Sequence, residues 1–133
     1  MAYPTVSAPY GFKAVNRVDG MPYAGAIRQI PIASGYTTAI YNGDPVVIAT
    51  GGTIERAAAS GAVTSGSPVG VLVGCAYTNS SGQPVEGQYF PGSGVTNAVA
   101  YVVDDPLAAF KVAVAYANAT VTTVTQAAVG TNM

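Results

Sequence analysis

The chain has 133 residues, half of them hydrophobic, with 8% charged side chains, a net charge of −1, no histidine and one cysteine. An ordinary soluble domain has roughly 25% charged residues, so we expect neighbours in an assembly to cover much of this surface; the alternative is a small extracellular β-protein with an uncharged polar surface. Five scattered basic residues form no patch for nucleic acid. No apolar run approaches the roughly 18 residues of a membrane span. We therefore expect neither nucleic acid nor a membrane as a partner.

Residues 1–25 are predicted to form an extended arm. Pro4, Pro9 and Pro22 lack a backbone N–H and favour extended geometry in the residue before them. The arm carries many apolar and aromatic side chains, namely Tyr3, Val6, Tyr10, Phe12, Met21 and Tyr23. We expect it to pack on its own domain or across a partner. Its first residues do not have the pattern of a signal peptide, and residues 26–133 are predicted to form a single β-barrel or sandwich domain.

Two short strands are predicted next. Residues 27–32 form the first, which Pro31 restricts to a sheet edge or an irregular segment because proline cannot donate to the ladder. Residues 37–41 form the second, because they are rich in β-branched and aromatic side chains.

A strong turn signal, Asn42-Gly43-Asp44-Pro45, ends the second strand, since Asn-Gly supplies positive φ and Pro fixes the exit. Residues 45–49 and 53–57 are then predicted to form a hairpin around Thr50-Gly51-Gly52.

The central strand is predicted at residues 69–77, the longest uninterrupted apolar run. Alternation places five larger residues on one face: Val69, Val71, Val73, Cys75 and Tyr77. The other face has Gly70, Leu72, Gly74 and Ala76, small enough for another backbone to approach. We expect this strand inside a barrel or sandwich, with Cys75 as a small buried hydrophobe.

Loops and shorter strands are predicted around this strand. Residues 58–67, rich in Ala, Ser and Gly, precede it as a loop, and residues 79–84 follow it as an exposed loop. Residues 88–90 form a brief strand, and residues 98–103 a well-signalled one.

Beyond residue 106 the spacing fits a helix or a strand. Valines and the later Thr-Val alternation favour a strand, because β-branched side chains fit a pleated surface. No segment has a convincing amphipathic helix. Short strands with turn signals every eight to twelve residues predict an all-β fold, a small barrel or sandwich of short antiparallel strands.

No catalytic, metal or cofactor site is predicted. The absence of histidine excludes Ser-His-Asp and Cys-His catalysis, and one cysteine cannot build a zinc site. Asp104 and Asp105 are adjacent and point opposite ways in an extended chain, so we expect turn hydrogen bonds for one of them, as for Asp44. The strand tyrosines suit cross-strand packing or interface anchors, with a carbohydrate or ligand face as the alternative. They are Tyr36, Tyr41, Tyr77, Tyr89, Tyr101 and Tyr116.

Six segments agree in order and spacing with one known family. They are Ala8-Pro9-Tyr10-Gly11-Phe12, Gly20-Met21-Pro22-Tyr23, Tyr41-Asn42-Gly43-Asp44-Pro45-Val46, Val69-Gly70-Val71-Leu72-Val73-Gly74, Tyr101-Val102-Val103-Asp104-Asp105-Pro106 and Val129-Gly130-Thr131-Asn132. In these segments the chain resembles the head decoration, or capsid cement, proteins of tailed bacteriophages. Members of that family generally continue past the Val-Gly-x-Asn element, so this sequence is either a short member or incomplete.

The resemblance implies a non-enzymatic virion protein, made in the host cytoplasm, that binds the outer surface of the phage head and stabilises the shell. Its implied partners are the major capsid protein and further copies of itself, a homotrimer being favoured over a dimer, and it implies no cofactor. We predict that the arm contacts the capsid through Tyr3, Val6, Tyr10 and Phe12. The alternatives are a tail or fibre component, or a β-barrel binding module for a carbohydrate or small ligand.

Overall fold

The computed structural model describes residues 11–57, 68–112 and 126. These residues contain eight β-strands and no α-helix, which confirms the all-β prediction. The strands are β1 (Lys13–Arg17), β2 (Arg28–Pro31), β3 (Pro45–Ile48), β4 (Ile54–Arg56), β5 (Pro68–Thr78), β6 (Pro84–Gly87), β7 (Thr96–Val103) and β8 (Ala108–Lys111).

The strands form two antiparallel sheets. In the larger sheet the order is β2-β7-β5-β3-β4, and β6 pairs with β5 beyond the end of β3; the smaller sheet is a ribbon of β1 and β8. Ile32, just after β2, makes a single bridge with Ile54 of β4, so the two ends of the larger sheet approach each other without closing. Of the two predicted architectures, the structure fits the sandwich rather than the closed barrel.

Strand β5 is the centre of the larger sheet. It pairs with β7 along one edge and with β3 and then β6 along the other. Gly70 allows close approach, as predicted, because a Cβ there would collide with the carbonyl oxygen of Val103 in β7. The predicted strict alternation of faces is wrong in one respect. Leu72 and Cys75 belong to the same buried cluster, because the register against β7 shifts between Leu72 and Gly74.

Most of the buried core belongs to one cluster, and Val47, Val71 and Val103 are buried outside it. The cluster is Ile30, Ile32, Ile40, Val46, Ile54, Leu72, Cys75, Phe90, Ala98, Ala100 and Val102. Cys75 is the small buried hydrophobe that the sequence predicts. Its thiol donates to the Tyr89 carbonyl oxygen at 3.0 Å, and burial raises the pKa of Cys75 to about 11.

Several strand predictions are confirmed. Strand β2 lies at a sheet edge and ends at Pro31, β3 and β4 form the expected hairpin, and β7 follows the predicted range closely. Strand β8 resolves the helix-or-strand alternative in favour of the strand for residues 108–111.

Two predictions about short segments are wrong. Residues 37–41 form no strand, and only Ile40 pairs there, in a bridge with Phe90. Residues 88–90 are not a strand either, because the strand comes earlier, at β6. Asn79 Oδ1 accepts the N–H groups of Ser81 and Gln83 and closes the short turn of the β5–β6 hairpin, so the second strand already begins at Pro84.

The predicted arm, residues 1–25, contains strand β1. Lys13–Arg17 pairs with β8 in the small ribbon, so this part of the chain is hydrogen-bonded to a strand about a hundred residues away. Tyr3, Val6 and Tyr10, the loop prediction for residues 58–67 and Tyr116 all lie outside the described residues.

The charges follow the sheet topology. All eleven charged side chains lie in the described residues, and none lies on β3, β5 or β7, the strands with a neighbour on each side. Each of the remaining five strands carries at least one, and the other charges are in turns. The interior of the larger sheet is therefore uncharged, and the ionic side chains lie on its outer strands, on the ribbon and in turns.

Candidate contact surface

The aspartates have structural roles. Asp44 Oδ2 accepts the Tyr41 N–H at 2.9 Å, and Asp105 Oδ1 accepts the Leu107 N–H at 2.9 Å, which confirms the predicted turn bonds. Asp104 Oδ2 lies 2.6 Å from Nη2 of Arg28. No group of three or more His, Cys, Asp or Glu side chains that could hold a metal is found among residues 11–57 and 68–112.

The most distinctive exposed feature is a pair of stacked tyrosines. The rings of Tyr41 and Tyr89 have centroids 5.8 Å apart and planes 20° apart, and the two residues are 53% and 48% exposed. Because large aromatic side chains bury well in cores and at interfaces, two exposed rings held together mark a candidate contact surface. We call Tyr41, Tyr89 and the adjoining Gln88 and Asn42 the tyrosine face.

The pair follows from a backbone bridge directly beneath it. Ile40 and Phe90 exchange two backbone hydrogen bonds, of 3.0 and 2.8 Å, and both side chains point into the core. Since successive side chains of extended backbone point to opposite sides, the next residues, Tyr41 and Tyr89, point outward together. The bridge therefore fixes the spacing of the two rings.

A tight turn restrains Tyr41 further. The Asp44 N–H donates to the Tyr41 carbonyl oxygen at 3.0 Å, and Gly43 has a φ of +93°, a conformation that glycine adopts without strain. The predicted Asn-Gly turn is thus confirmed, with Asn42 exposed at its tip. The turn and the bridge therefore fix the backbone beneath both rings, so a contact made there would cost little backbone entropy.

A groove of about 410 Å³ adjoins the tyrosine face. It is lined by Gly11, Phe12, Lys13, Tyr41, Asn42, Gly43, Asp44 and Gln88. Two aromatic rings and two neutral amides account for half of this lining, and Lys13 and Asp44 add one positive and one negative side chain. Such a surface offers aromatic contacts, hydrogen bonds and a pair of opposite charges.

Phe12 is the only one of the four predicted contact residues within the described part of the chain. Its ring packs edge-on against Phe110 of β8, with centroids 6.2 Å apart, and its N–H donates to the Gly43 carbonyl oxygen at 2.9 Å. It is partly buried and lines the groove, so it lies beside the tyrosine face.

The other predicted tyrosines within the described residues make contacts inside the fold. Tyr36 stacks on Phe90 and its hydroxyl accepts the Arg56 N–H at 3.0 Å. Tyr77 packs against the core, and Tyr101 lies 3.2 Å from a Glu86 carboxylate oxygen. The sequence predicts packing or interface roles for the strand tyrosines, but it does not single out Tyr41 and Tyr89. Their contact joins segments 48 residues apart.

A second exposed apolar patch lies at the ribbon. Val18 and Leu107 are joined by a 2.8 Å backbone hydrogen bond, and Val18, Met21 and Leu107 are 70%, 58% and 37% exposed. Contiguous exposed apolar surface is typical of association sites, so these side chains are a candidate for one. We call these three residues the ribbon patch.

Comparisons of the chain with protein-family models, with curated proteins and with solved structures give no match. Among the residues that the structure describes, no helix is long and apolar enough to cross a membrane.

Proposed function

We propose that this chain is a structural, non-enzymatic virion protein that binds the outer surface of a bacteriophage capsid as a homo-oligomer, a trimer being favoured, and stabilises the shell. The proposal starts from the six segments that resemble head decoration proteins. The observation that carries it in the structure is the tyrosine face, a preorganised aromatic surface on an all-β body. Tyrosine is among the residues that contribute most to protein–protein binding.

The distribution of charge supports the same proposal. A surface with few charged side chains has little electrostatic repulsion between copies, which suits dense packing on a lattice. The ribbon patch offers an apolar surface for contact between copies of the chain. Symmetric self-association would present several contact sites at once, and linked sites bind far more tightly than single ones.

The experiment is adsorption of the purified protein to mature capsid shells assembled without it. We expect saturable binding and a higher temperature of shell disruption, both measured on the same particles. Tyr41→Ala and Tyr89→Ala should weaken adsorption, whereas Ile48→Ala, at an exposed position of β3 outside the tyrosine face, should not. A wild-type protein that does not bind these shells would reject the proposal.

The contribution of the arm is tested by deleting residues 1–10. The deletion should stop there, because Gly11 and Phe12 contact the body of the protein. We expect weaker adsorption with unchanged thermal unfolding. Undiminished adsorption would remove Tyr3, Val6 and Tyr10 from the contact.

One observation favours a second function, a module that binds a neutral saccharide. Tyr41 and Tyr89 present aromatic rings beside the amides of Asn42 and Gln88, a combination of apolar and polar groups suited to a small polar ligand. Titration with neutral oligosaccharides, followed by tyrosine fluorescence, tests it. Specific binding that Tyr41→Ala removes and Tyr41→Phe retains would favour this function over shell binding. A tail or fibre component is distinguished by the position of the chain in the particle.

A further inference from the structure

A second groove lies between the segment that follows β2 and the segment that leads into β7. It has a volume of about 440 Å³, and none of its lining residues, all of which the structure describes, is charged. Its volume is within the range of about 300–1,000 Å³ that small-molecule sites have. The residues with polar side chains in this lining define what we call the polar groove. They are Ser34, Tyr36, Thr37, Ser93, Thr96 and Asn97.

The polar groove has unused hydrogen-bonding groups. Except for Tyr36, each of its polar residues is exposed, and within residues 11–57 and 68–112 none of these exposed side chains makes a hydrogen bond. A hydroxyl group can donate one hydrogen bond and accept two, and an asparagine amide can do both. The groove therefore offers donors and acceptors to a ligand without first breaking a bond within the fold.

The two walls of the groove are fixed to each other. The Ile32 N–H donates to the Ala98 carbonyl oxygen at 2.9 Å. A Cβ built on Gly92 would lie 2.5 Å from the Thr37 carbonyl oxygen, closer than real Cβ atoms approach, so this contact depends on glycine. Because the walls are held together in the fold, ligand binding would order little additional backbone.

The ring of Tyr36 is the aromatic part of the polar groove. It stacks on the buried Phe90 ring, with centroids 6.2 Å and planes 26° apart, and its hydroxyl accepts the Arg56 N–H at 3.0 Å. The guanidinium group of Arg56 donates through Nη1 to the Ala39 carbonyl oxygen at 3.3 Å. The ring is therefore held in place, and the charged group of the residue that it contacts is bound to the backbone.

Asn97 has an unusual backbone conformation in this groove. Its φ is +53°, and it is the only described residue other than glycine with a positive φ. Opposite the stretch from Ala76 to Thr78 of β5, strand β7 carries one extra residue, so Asn97 lies in a β-bulge. A bulge redirects a side chain relative to the regular strand. Here the redirected residue lines the groove.

We propose that the polar groove binds a neutral saccharide, with one side of a sugar ring against Tyr36 and sugar hydroxyl groups bound by Thr37 and Asn97. Sugar hydroxyl groups both donate and accept hydrogen bonds, as the side chains of the groove do. The face of an aromatic ring is negative and attracts the weakly positive C–H groups of a sugar. The polar groove shares no residue with the tyrosine face, so this inference does not depend on either function proposed above.

The uncharged lining favours a neutral ligand over an ionic one. A charged ligand would lose part of its hydration in the groove without gaining an opposite charge from the lining, and that loss is costly. The phosphate ester of a sugar should therefore bind less tightly than the sugar itself.

The test is an NMR titration of the isotope-labelled full chain with neutral sugars. The probes are glucose, galactose, mannose, N-acetylglucosamine and their β-linked disaccharides, with the phosphate ester of the tightest-binding sugar as the charged counterpart. We expect saturable shifts of the Thr37 and Asn97 amide signals with at least one neutral probe, and weaker binding of the phosphate ester.

Two variants each remove a single contact. Thr37→Val removes a hydroxyl group at nearly constant side-chain size, and Asn97→Gly removes the amide while glycine adopts the positive φ without strain. Each should weaken binding by about 3- to 10-fold, the range of one hydrogen bond. Thr50→Val is the matched control, since Thr50 is exposed in the β3–β4 turn outside the groove, and it should bind as the wild type does. Thermal unfolding verifies that all three variants are folded.

Four results would overturn the inference. The first is no saturable binding of any neutral probe by the wild type, and the second is wild-type affinity in both Thr37→Val and Asn97→Gly. The third is loss of binding in Tyr41→Ala, which would assign the sugar to the tyrosine face. The fourth is tighter binding of the phosphate ester, which contradicts a neutral ligand. Shell adsorption tests the proposed function separately, because the titration requires no shell.

Discussion

Replacing Phe90 by alanine should lower the free energy of unfolding far more than replacing its neighbour Tyr89. Phe90 is 2% exposed and belongs to the core cluster, and its ring also stacks on Tyr36 at 6.2 Å. Removing a buried phenylalanine side chain costs about 3–5 kcal/mol, because transfer free energy is lost and a cavity remains. That is a large part of a total stability of about 5–15 kcal/mol.

Tyr89 is 48% exposed, so only about half of its surface is buried in the folded protein. The alanine substitution can remove no more than that buried half. A fully buried aromatic side chain buries about 150–250 Å². At about 25 cal/mol per Å², half of that corresponds to at most about 2–3 kcal/mol. The alanine Cβ retains some of this burial, so we expect a cost of about 1–2 kcal/mol.

Urea denaturation of the two variants measures the difference. We expect the midpoint of Phe90→Ala to fall markedly more than that of Tyr89→Ala, with unchanged m-values if both unfold in two states. Binding should show the opposite order at temperatures where both variants are folded, because only Tyr89 is on the tyrosine face. Equal destabilisation by the two substitutions would refute the assignment of Phe90 to the core and of Tyr89 to the surface.

Four further predictions follow from single contacts. Asp104→Asn should lower the free energy of unfolding by less than about 1 kcal/mol, because its partner Arg28 has a 63% exposed side chain and water screens the pair; thermal unfolding at low and high salt checks this. Cys75 should react with iodoacetamide at least about 100-fold more slowly in the folded than in the unfolded protein at pH 8, since its side chain is fully buried and burial raises its pKa from 9.0 to about 11; equal rates in urea and buffer would contradict it. Asn79→Ala should cost about 1–2 kcal/mol and speed hydrogen exchange in its hairpin, because two backbone N–H groups lose their acceptor. Val18→Asp should weaken the proposed self-association, measured by sedimentation velocity, without lowering the unfolding temperature, since this side chain is 70% exposed; unchanged association would remove the ribbon patch from the proposed contact.

The sequence predicts best those elements that local chemistry determines. The turn at Asn42-Gly43 and the hairpin of β3 and β4 depend on local glycine-containing turn signals, and both are present. Strand β5 is long and apolar enough to be recognised without any knowledge of its neighbours. Pro31 similarly places β2 at an edge because proline has no N–H to donate.

What the sequence does not predict depends on contacts between distant segments. The register shift after Leu72 arises from pairing with β7 and is not encoded in the apolar run itself. The bridge between Ile40 and Phe90, and therefore the tyrosine pair beside it, joins two segments that each look like a separate short strand. Residues 79–84 look like a polar loop, yet the Asn79 side chain shortens it enough for β6 to form.

The ionic groups on the outer strands affect how readily a second polypeptide can add to the edges of the sheet. An unpaired strand edge can template the addition of a second polypeptide and start a fibril. In this molecule β2 and β6 each carry both a proline and a charged residue, and β4 is only three residues long with Glu55 and Arg56. Fibril growth at these three described edges would have to dehydrate a charge or proceed without a donor, which disfavours the addition of a second chain at β2, β4 and β6.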